Sequence, residues 1–299
     1  MTHRADHVPK GIALRLLAIF ALASMMALVK YAEAGGASLP ELLFFRQACA
    51  LPIVLIWLAN GPGLSSLRTK RIGSHARRTV IGLCGMLGNF GAVMLLPLAE
   101  ATTLGFTVPL FATILAVIVL HETVGWHRWA AVAVGFAGIL IVAQPGSGHF
   151  GMIGALVGLA GAMFTAWVSI ELRQLSRTEN TGTIVFWFSL LSLVPLGIAY
   201  LFVAQAHPAW VWVAMLAAGV SGGVGQLALT GALRFAPVSA VLPMDYSSLI
   251  WATLYGLLLF GVLPTPATWI GAPVIIASGL YIVWRERVRH QELATEPGV

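Results

Sequence analysis

Apolar runs about twenty residues long, the length that crosses a bilayer as helix, follow one another down the whole chain with short polar breaks between them. They predict spans over 11–30, 40–58, 79–98, 101–120, 129–143, 151–170, 182–203, 210–231, 238–259 and 268–284. Polarity barely rises around Glu100 and Pro237, so the third-to-fourth and eighth-to-ninth connections are very tight. The expectation is an all-α integral membrane protein with ten transmembrane helices.

The same pattern occurs twice. Residues 96–142 are echoed by 233–283 at a shift of about 140, which sets Trp129 on Trp269. The stretch FFRQACALP (44–52) lies against FWFSLLSLVP (186–195), and the helix opening at Gly11 lies against the one opening at Gly151. Each half carries five spans, and an odd number of crossings makes the second half enter the membrane from the opposite face. This predicts two inverted five-helix repeats, 1–145 and 146–288, followed by a tail over 289–299. Many secondary transporters build two alternately opening gates from such repeats. A carrier is therefore the first functional expectation.

Composition narrows the class. Only 9% of residues are charged, against about 25% in a soluble domain, and the mean hydropathy is +0.89. The ten spans leave almost no chain for an extramembrane domain. A net charge of +6 raises the question of nucleic acid, but the placement of the charge answers it. With the N-terminus in the cytoplasm, only Lys30 and Arg46 of the 17 basic residues fall on the outer half. That is a positive-inside signal, suited to anionic inner-leaflet lipid, and no nucleic-acid partner is needed. The expected place is the bacterial inner membrane, with both termini cytoplasmic. Cys49 and Cys84 lie inside apolar spans and form neither a disulfide framework nor a metal-ligand spacing. Ala32-Glu33-Ala34 after the first run imitates a signal-peptide cleavage site, but this run has a repeat partner in the sixth span and is read as a retained helix.

Several segments carry a likeness to a known family. ELLFFR (41–46), LPLAEATTLGFTVPLF (96–111), His121-Glu122 and RWAAVAVGFAGILIV (128–142) resemble the EamA-type drug/metabolite transporter superfamily, as do ALRFAPVS (232–239), LPMDYSSLIWATLYGLLLFG (242–261) and IGAPVIIASGLYIVWRE (270–286). The resemblance covers essentially the whole chain. It implies ten helices, a central cavity between the halves and transport of a small metabolite. Members of that superfamily export amino acids, including aromatic ones, or take up riboflavin, S-adenosylmethionine or sugars. The chain departs from the pattern at Glu122, which aligns near Val262 and so has no acidic counterpart in the second half.

Charge buried in hydrocarbon is costly and usually faces a cavity or a partner. Of 11 acidic residues, Asp245 alone sits well inside a span. It is read either as a ligand for a substrate ammonium or a proton, or as a static partner for a base, with Arg234 the nearest in sequence. Arg46 is read as a carboxylate ligand or as the partner of Glu41 or Glu100 at an outer gate, while Lys30 and Glu33 are near enough to the surface to snorkel. Asn89 and Gln226 place amides in spans that the resemblance puts around the cavity, with helix-to-helix bonding as the alternative. Thr107, Ser221, Tyr246, Ser247 and Ser248 are further polar groups in the spans. Most tryptophans sit at span ends as an interfacial belt, leaving Trp167, Trp187 and Trp251 deeper. The candidate substrate contacts are Asn89, Trp167, Gln226, Asp245 and Tyr246, and Arg46, Glu41 and Glu100 are gating or ion-pair candidates. No catalytic residue, metal ligand or cofactor is expected.

Glycines at 85, 88 and 91, and the pairs Gly154/Gly158 and Gly219/Gly223, allow close helix approach, as sliding faces or as plain packing. Prolines 97, 109, 195, 237 and 243 can bend spans. Two motifs are set aside. GSGHFG (146–151) satisfies G-x-G-x-x-G but follows no strand. Gly219-Val220-Ser221-Gly222 imitates a serine nucleophile motif, but the 8 histidines all fall in tails, loops or span ends, so no base stands near. The resulting expectation is a carrier of a small polar or zwitterionic metabolite, with export of a neutral or aromatic amino acid as the first reading. Uptake of riboflavin or S-adenosylmethionine is the alternative, and an intramembrane hydrolase or a channel is more distant. Asp245 permits proton coupling. A midplane cluster of Lys or Arg is not apparent in the spans, which argues against phosphorylated cargo.

Overall fold

The computed structural model describes residues 8–61, 63–144, 151–176, 178–236 and 241–295, without the side chains of a few helical positions such as Arg173 and Arg234. The described helices are α1 (Val8–Ala34), α2 (Leu39–Ala59), α3 (Ile72–Leu95), α4 (Leu98–Gly105), α5 (Val108–Leu120), α6 (Trp126–Ala143), α7 (Met152–Leu175), α8 (Thr181–Val203), α9 (Ala209–Phe235), α10 (Ser248–Phe260) and α11 (Pro266–Thr295). A 3₁₀ turn at Leu64–Leu67 precedes α3, and another at Leu242–Ser247 runs into α10. Counting α4 with α5, 9 helices among the described residues are long and apolar enough to cross a membrane. The remaining pass, the ninth in chain order, is the 3₁₀ turn with α10. At ~2.0 Å and ~1.5 Å rise per residue they reach about 30 Å, the hydrocarbon thickness of a bilayer.

Packing follows the repeat. The first pass lies on the eighth (α1 on α9), the third on the sixth (α3 on α7), the fifth on the tenth (α6 on α11) and the second on the seventh (α2 on α8). The fourth meets the sixth as the ninth meets the first, and the fourth meets the ninth. Exchanging each pass with the one five places on returns the same principal pairs, which is the signature of two inverted modules. Glycine sets how closely these pairs approach. A Cβ on Gly88 would stand 2.4 Å from Gly161 Cα, and one on Gly161 2.7 Å from the Asn89 backbone nitrogen, so α3 and α7 cross backbone to backbone. Gly219 and Gly223 likewise admit Cys49 and Ile53 of α2. Apolar burial gains little between helices in lipid, and such close contact is what holds them together. The first span is built into this framework: Met25, Val29 and Ala32 are buried, and Gly11 abuts Ala236.

Two passes break, at related positions. Pro109 has no N–H to donate to the Gly105 carbonyl, so the α ladder stops there. The chain tightens instead through Phe106 N to Thr103 O and Thr107 N to Leu104 O, and the Thr107 hydroxyl donates to Leu104 O at 2.6 Å. In the ninth pass Pro243 opens the 3₁₀ turn. The Ser247 and Ser248 hydroxyls donate to the carbonyls of Met244 and Asp245, local bonds that compete with regular helix. The bends fall at two of the prolines expected to bend spans. Pro195 stays inside the continuous α8, Pro97 precedes α4, and Pro237 lies outside the described residues, as does most of GSGHFG.

Candidate functional site

A cavity of about 500 Å³ opens between the two repeats. It lies within the ~300–1,000 Å³ usual for small-molecule pockets. Repeat one contributes Arg15, Arg46, Arg78, Met86, Asn89 and Phe90, and repeat two contributes Thr165, Phe188, Ser189, Gln226, Asp245 and Ser248. The broken fourth pass borders it through Gly105 and Phe106. There Phe106 meets Tyr246 edge to face, ring centroids 5.0 Å apart. These two rings are counterparts in the duplicated sequence, so the breaks touch where the repeats meet.

Of the expected substrate contacts, Asn89, Gln226 and Asp245 line this cavity together, and Arg46 joins them. The Asn89 amide donates to Thr165 Oγ1 of α7 at 3.0 Å, a bond that crosses from one repeat to the other. Asp245 is held by Arg15, whose Nε and Nη2 reach Oδ1 and Oδ2 in a bidentate pair. The partner thus lies 230 residues away in sequence, whereas the side chain of Arg234 is outside the described set. Trp167 is not part of the lining and packs against the buried cluster of Leu115, Ala166 and Ile170. Tyr246 is spent on Phe106 and on the close approach of Gly279, not on the cavity. Neither ring lines the cavity in this conformation, because each is taken up in helix packing.

The gating candidates also take different partners. Glu41 accepts from the backbone and hydroxyl of its own N-cap Ser38, from Gln205 N, and shares a 3.0 Å bond with His207. Glu100 accepts from Thr265 N and the Thr268 hydroxyl. Lys30 donates to the carbonyls of Val93 and Leu96 at 2.8 and 2.7 Å, capping the end of α3. Arg46 therefore pairs with neither Glu41 nor Glu100. It donates to Gln47 Oε1 at 2.9 Å and toward Met86 Sδ at 3.2 Å, and Gln47 in turn donates to Ser192.

Sequence reasoning missed Arg15 and Arg78, which were counted only as topology charges. Arg78 is 6% exposed, and its guanidinium lies 3.7 Å over the Phe188 ring. The missed signal is periodic: positions 78, 82, 85, 86, 89 and 93 all line the cavity and form one helical stripe. The argument against a cluster of cations in the spans is likewise overturned. Arg46 enters from one end and Arg78 from the other, and their long side chains converge on one cavity.

Comparison with known proteins completes the picture. The model of the EamA-like transporter family matches residues 9–144 and again 152–284. A riboflavin transporter of Vibrio cholerae serotype O1 is 29% identical over 96% of this chain and 97% of its own. A pseudopaline exporter of Pseudomonas aeruginosa is 29% identical, covering 91% and 95%. An S-adenosylmethionine uptake transporter of Rickettsia prowazekii is 27% identical, covering 82% and 81%. A crystal structure at 20% identity superposes with a TM-score of 0.64 over 93% of this chain and 98% of the other, which bears on the fold alone. With two family matches that together span nearly its whole length, the chain belongs to the EamA-like transporters of the drug/metabolite transporter superfamily and is a multi-pass membrane transporter.

Proposed function

We propose that this transporter is a secondary carrier of a small organic metabolite, bound between two modules (1–145 and 146–288) and exposed alternately to each side of a bacterial inner membrane. The observation that carries this reading is the cavity at the repeat junction, lined by both halves and bordered by both broken passes. Discontinuous helices at such a junction are where secondary transporters bind cargo. Polar links between the repeats stand at both ends of the bundle, as two gates require. The clustering of Lys10, Arg68, Lys70, Arg71, Arg77 and Arg285 at one set of helix ends supports cytoplasmic termini by the positive-inside rule.

The lining favours an amphipathic cargo. Phe90, Phe106, Phe188, Met25 and Met86 supply apolar and aromatic wall, and Asn89, Gln226 and Ser189 supply hydrogen bonds. A planar heterocycle satisfies both, which makes a flavin or a similar ring metabolite the first reading. Export of a neutral amino acid is the second, favoured by arginines able to hold a carboxylate, but its ammonium would have to compete with Arg15 for Asp245. The test is trans-stimulated counterflow in proteoliposomes with labelled riboflavin, S-adenosylmethionine and aromatic amino acids. Exchange of one of them supports the carrier reading. Continuous conductance without exchange would instead make the protein a channel, and full activity of Ser221→Ala would dismiss a hydrolase.

A further inference from the structure

Arg46 and Arg78 line the same cavity, and among the described residues neither has a carboxylate partner. Arg46 Nε and Arg78 Nε and Nη1 are buried with no hydrogen-bond partner at all. The two side chains enter that cavity from α2 and α3. Each is laid against an aromatic face, Arg46 at 5.8 Å from the Phe90 centroid and Arg78 at 3.7 Å from that of Phe188. Cation–π contact of this kind orients a guanidinium and leaves its N–H edge free.

A buried cation without a counterion is costly, and two in one cavity also repel each other. The other charges on the lining do not relieve this, because Asp245 is committed to Arg15. The lining therefore carries two positive charges in excess. We propose that Arg46 and Arg78 form an anion site, so that the cargo bears a carboxylate or a phosphate ester held between the two guanidiniums. A guanidinium presents a planar fork that matches the oxygens of either group. The apolar rings on which the arginines rest take the body of the same molecule. This deepens the carrier reading and rests on it only for the word cargo, since binding is tested apart from transport.

The experiment uses the full-length protein in detergent and two matched pairs of probes. Riboflavin is compared with riboflavin 5′-phosphate, and N-acetylphenylalanine amide with N-acetylphenylalanine, by thermal shift and by ligand-fluorescence or calorimetric titration. The expected result is that the anionic member of one pair or both binds about tenfold or more tightly than its neutral twin. The phosphate pair and the carboxylate pair then say which anion is meant. Arg46→Gln and Arg78→Gln should each erase the preference of the anionic twin over its neutral partner. Equal binding of the twins, a preference that survives both substitutions, or a cooperative melt that none of the four probes shifts would each overturn the proposal. If either substitution prevents folding, Arg46→Lys and Arg78→Lys replace them, and a point charge without the fork should weaken the anion about fivefold or more. Counterflow separates the two claims. Exchange that persists in the arginine variants removes the anion site and keeps the carrier, whereas anion binding without any exchange does the reverse.

Discussion

The two ends of the bundle are joined in different ways. At the end where α1 stops and α2 begins, the link between repeats is dry: Glu41 and His207 meet with side chains 1% and 4% exposed, and an aromatic cluster of Phe44, Phe45, Tyr200 and Trp212 packs beside them. At the opposite end Arg77 meets Glu171 at 2.8 Å, but the arginine is 57% exposed, and Arg71 reaches Thr178 on the surface. The Glu41–His207 pair is thus desolvated on both sides, whereas at the other end the Arg77 guanidinium stands in water although Glu171 and the neighbouring His75–Glu179 pair are largely buried. Removing one partner of a buried pair strands a charge, while an exposed pair gives up its partner to water cheaply. On the carrier reading proposed above, the end at Glu41 is expected to be the tighter gate and the end at Arg77 the readier to part.

The largest effect should come from the crossing between the two ends. Gly88→Val pushes a branched side chain into the Gly161 backbone, where even a Cβ stands at 2.4 Å from its nearest atom. Because the clash is with backbone, no rotamer relieves it, and we expect loss of folded, monodisperse protein in detergent chromatography. Such a variant tests whether both ends depend on a common pivot. A folded, active Gly88→Val would remove that pivot.

Next comes the dry gate. Glu41→Ala takes acceptors from Ser38, Gln205 and His207 together and should cost about 3 kcal/mol of stability, as breaking a buried pair does. Thermal unfolding measures the loss, and labelling of a Tyr31→Cys variant by a water-soluble maleimide should rise with it. An unchanged labelling rate would mean that this end is not held shut by Glu41.

How much of this could be read beforehand depends on the range of each interaction. The spans were legible because hydrocarbon demands an unbroken apolar run for every crossing, and the repeat was legible because it is written twice. The bends at Pro109 and Pro243 were visible as prolines, but not the 3₁₀ turn that follows from one of them. Asp245 was legible as an intramembrane acid, yet Arg15 was not legible as its partner, because nothing local in a sequence connects two residues on different repeats. That Trp167 and Tyr246 pack away from the cavity was not legible for a related reason: depth along a helix follows from position, but which neighbour a ring meets does not. Arg78 was overlooked because positive-inside counting treats every base near a span end as a topology mark. A stripe of small and polar residues on the same face was the correcting signal.

A middle-sized effect is expected where Arg15 holds Asp245, with side chains 8% and 32% exposed. Asp245→Asn keeps the shape but removes the charge, and Arg15→Gln does the converse. A double-mutant cycle should return a coupling of about 1–2 kcal/mol, smaller than the loss at Glu41 because this acid is reached by solvent. Proteoliposome flux adds a second reading: if flux and its dependence on pH are the same in Asp245→Asn as in the natural protein, Asp245 carries no proton in the cycle.

The smallest effect is the one that makes the comparison quantitative. Arg77→Ala removes both of the arginine's bonds to Glu171 and its contact with Gln174, but the guanidinium stands largely in water. An exposed pair of this kind contributes under about 1 kcal/mol, and salt screens it further. The thermal shift should therefore be slight in dilute buffer and vanish at high salt, whereas the loss at Glu41 should persist. Glu171 itself is nearly buried, its side chain 6% exposed, so the residual effect belongs to the acid left without its base. If Arg77→Ala destabilised the protein as much as Glu41→Ala, and did so at high salt, the two ends would be equally tight, and the expectation of a tighter and a readier gate would fall.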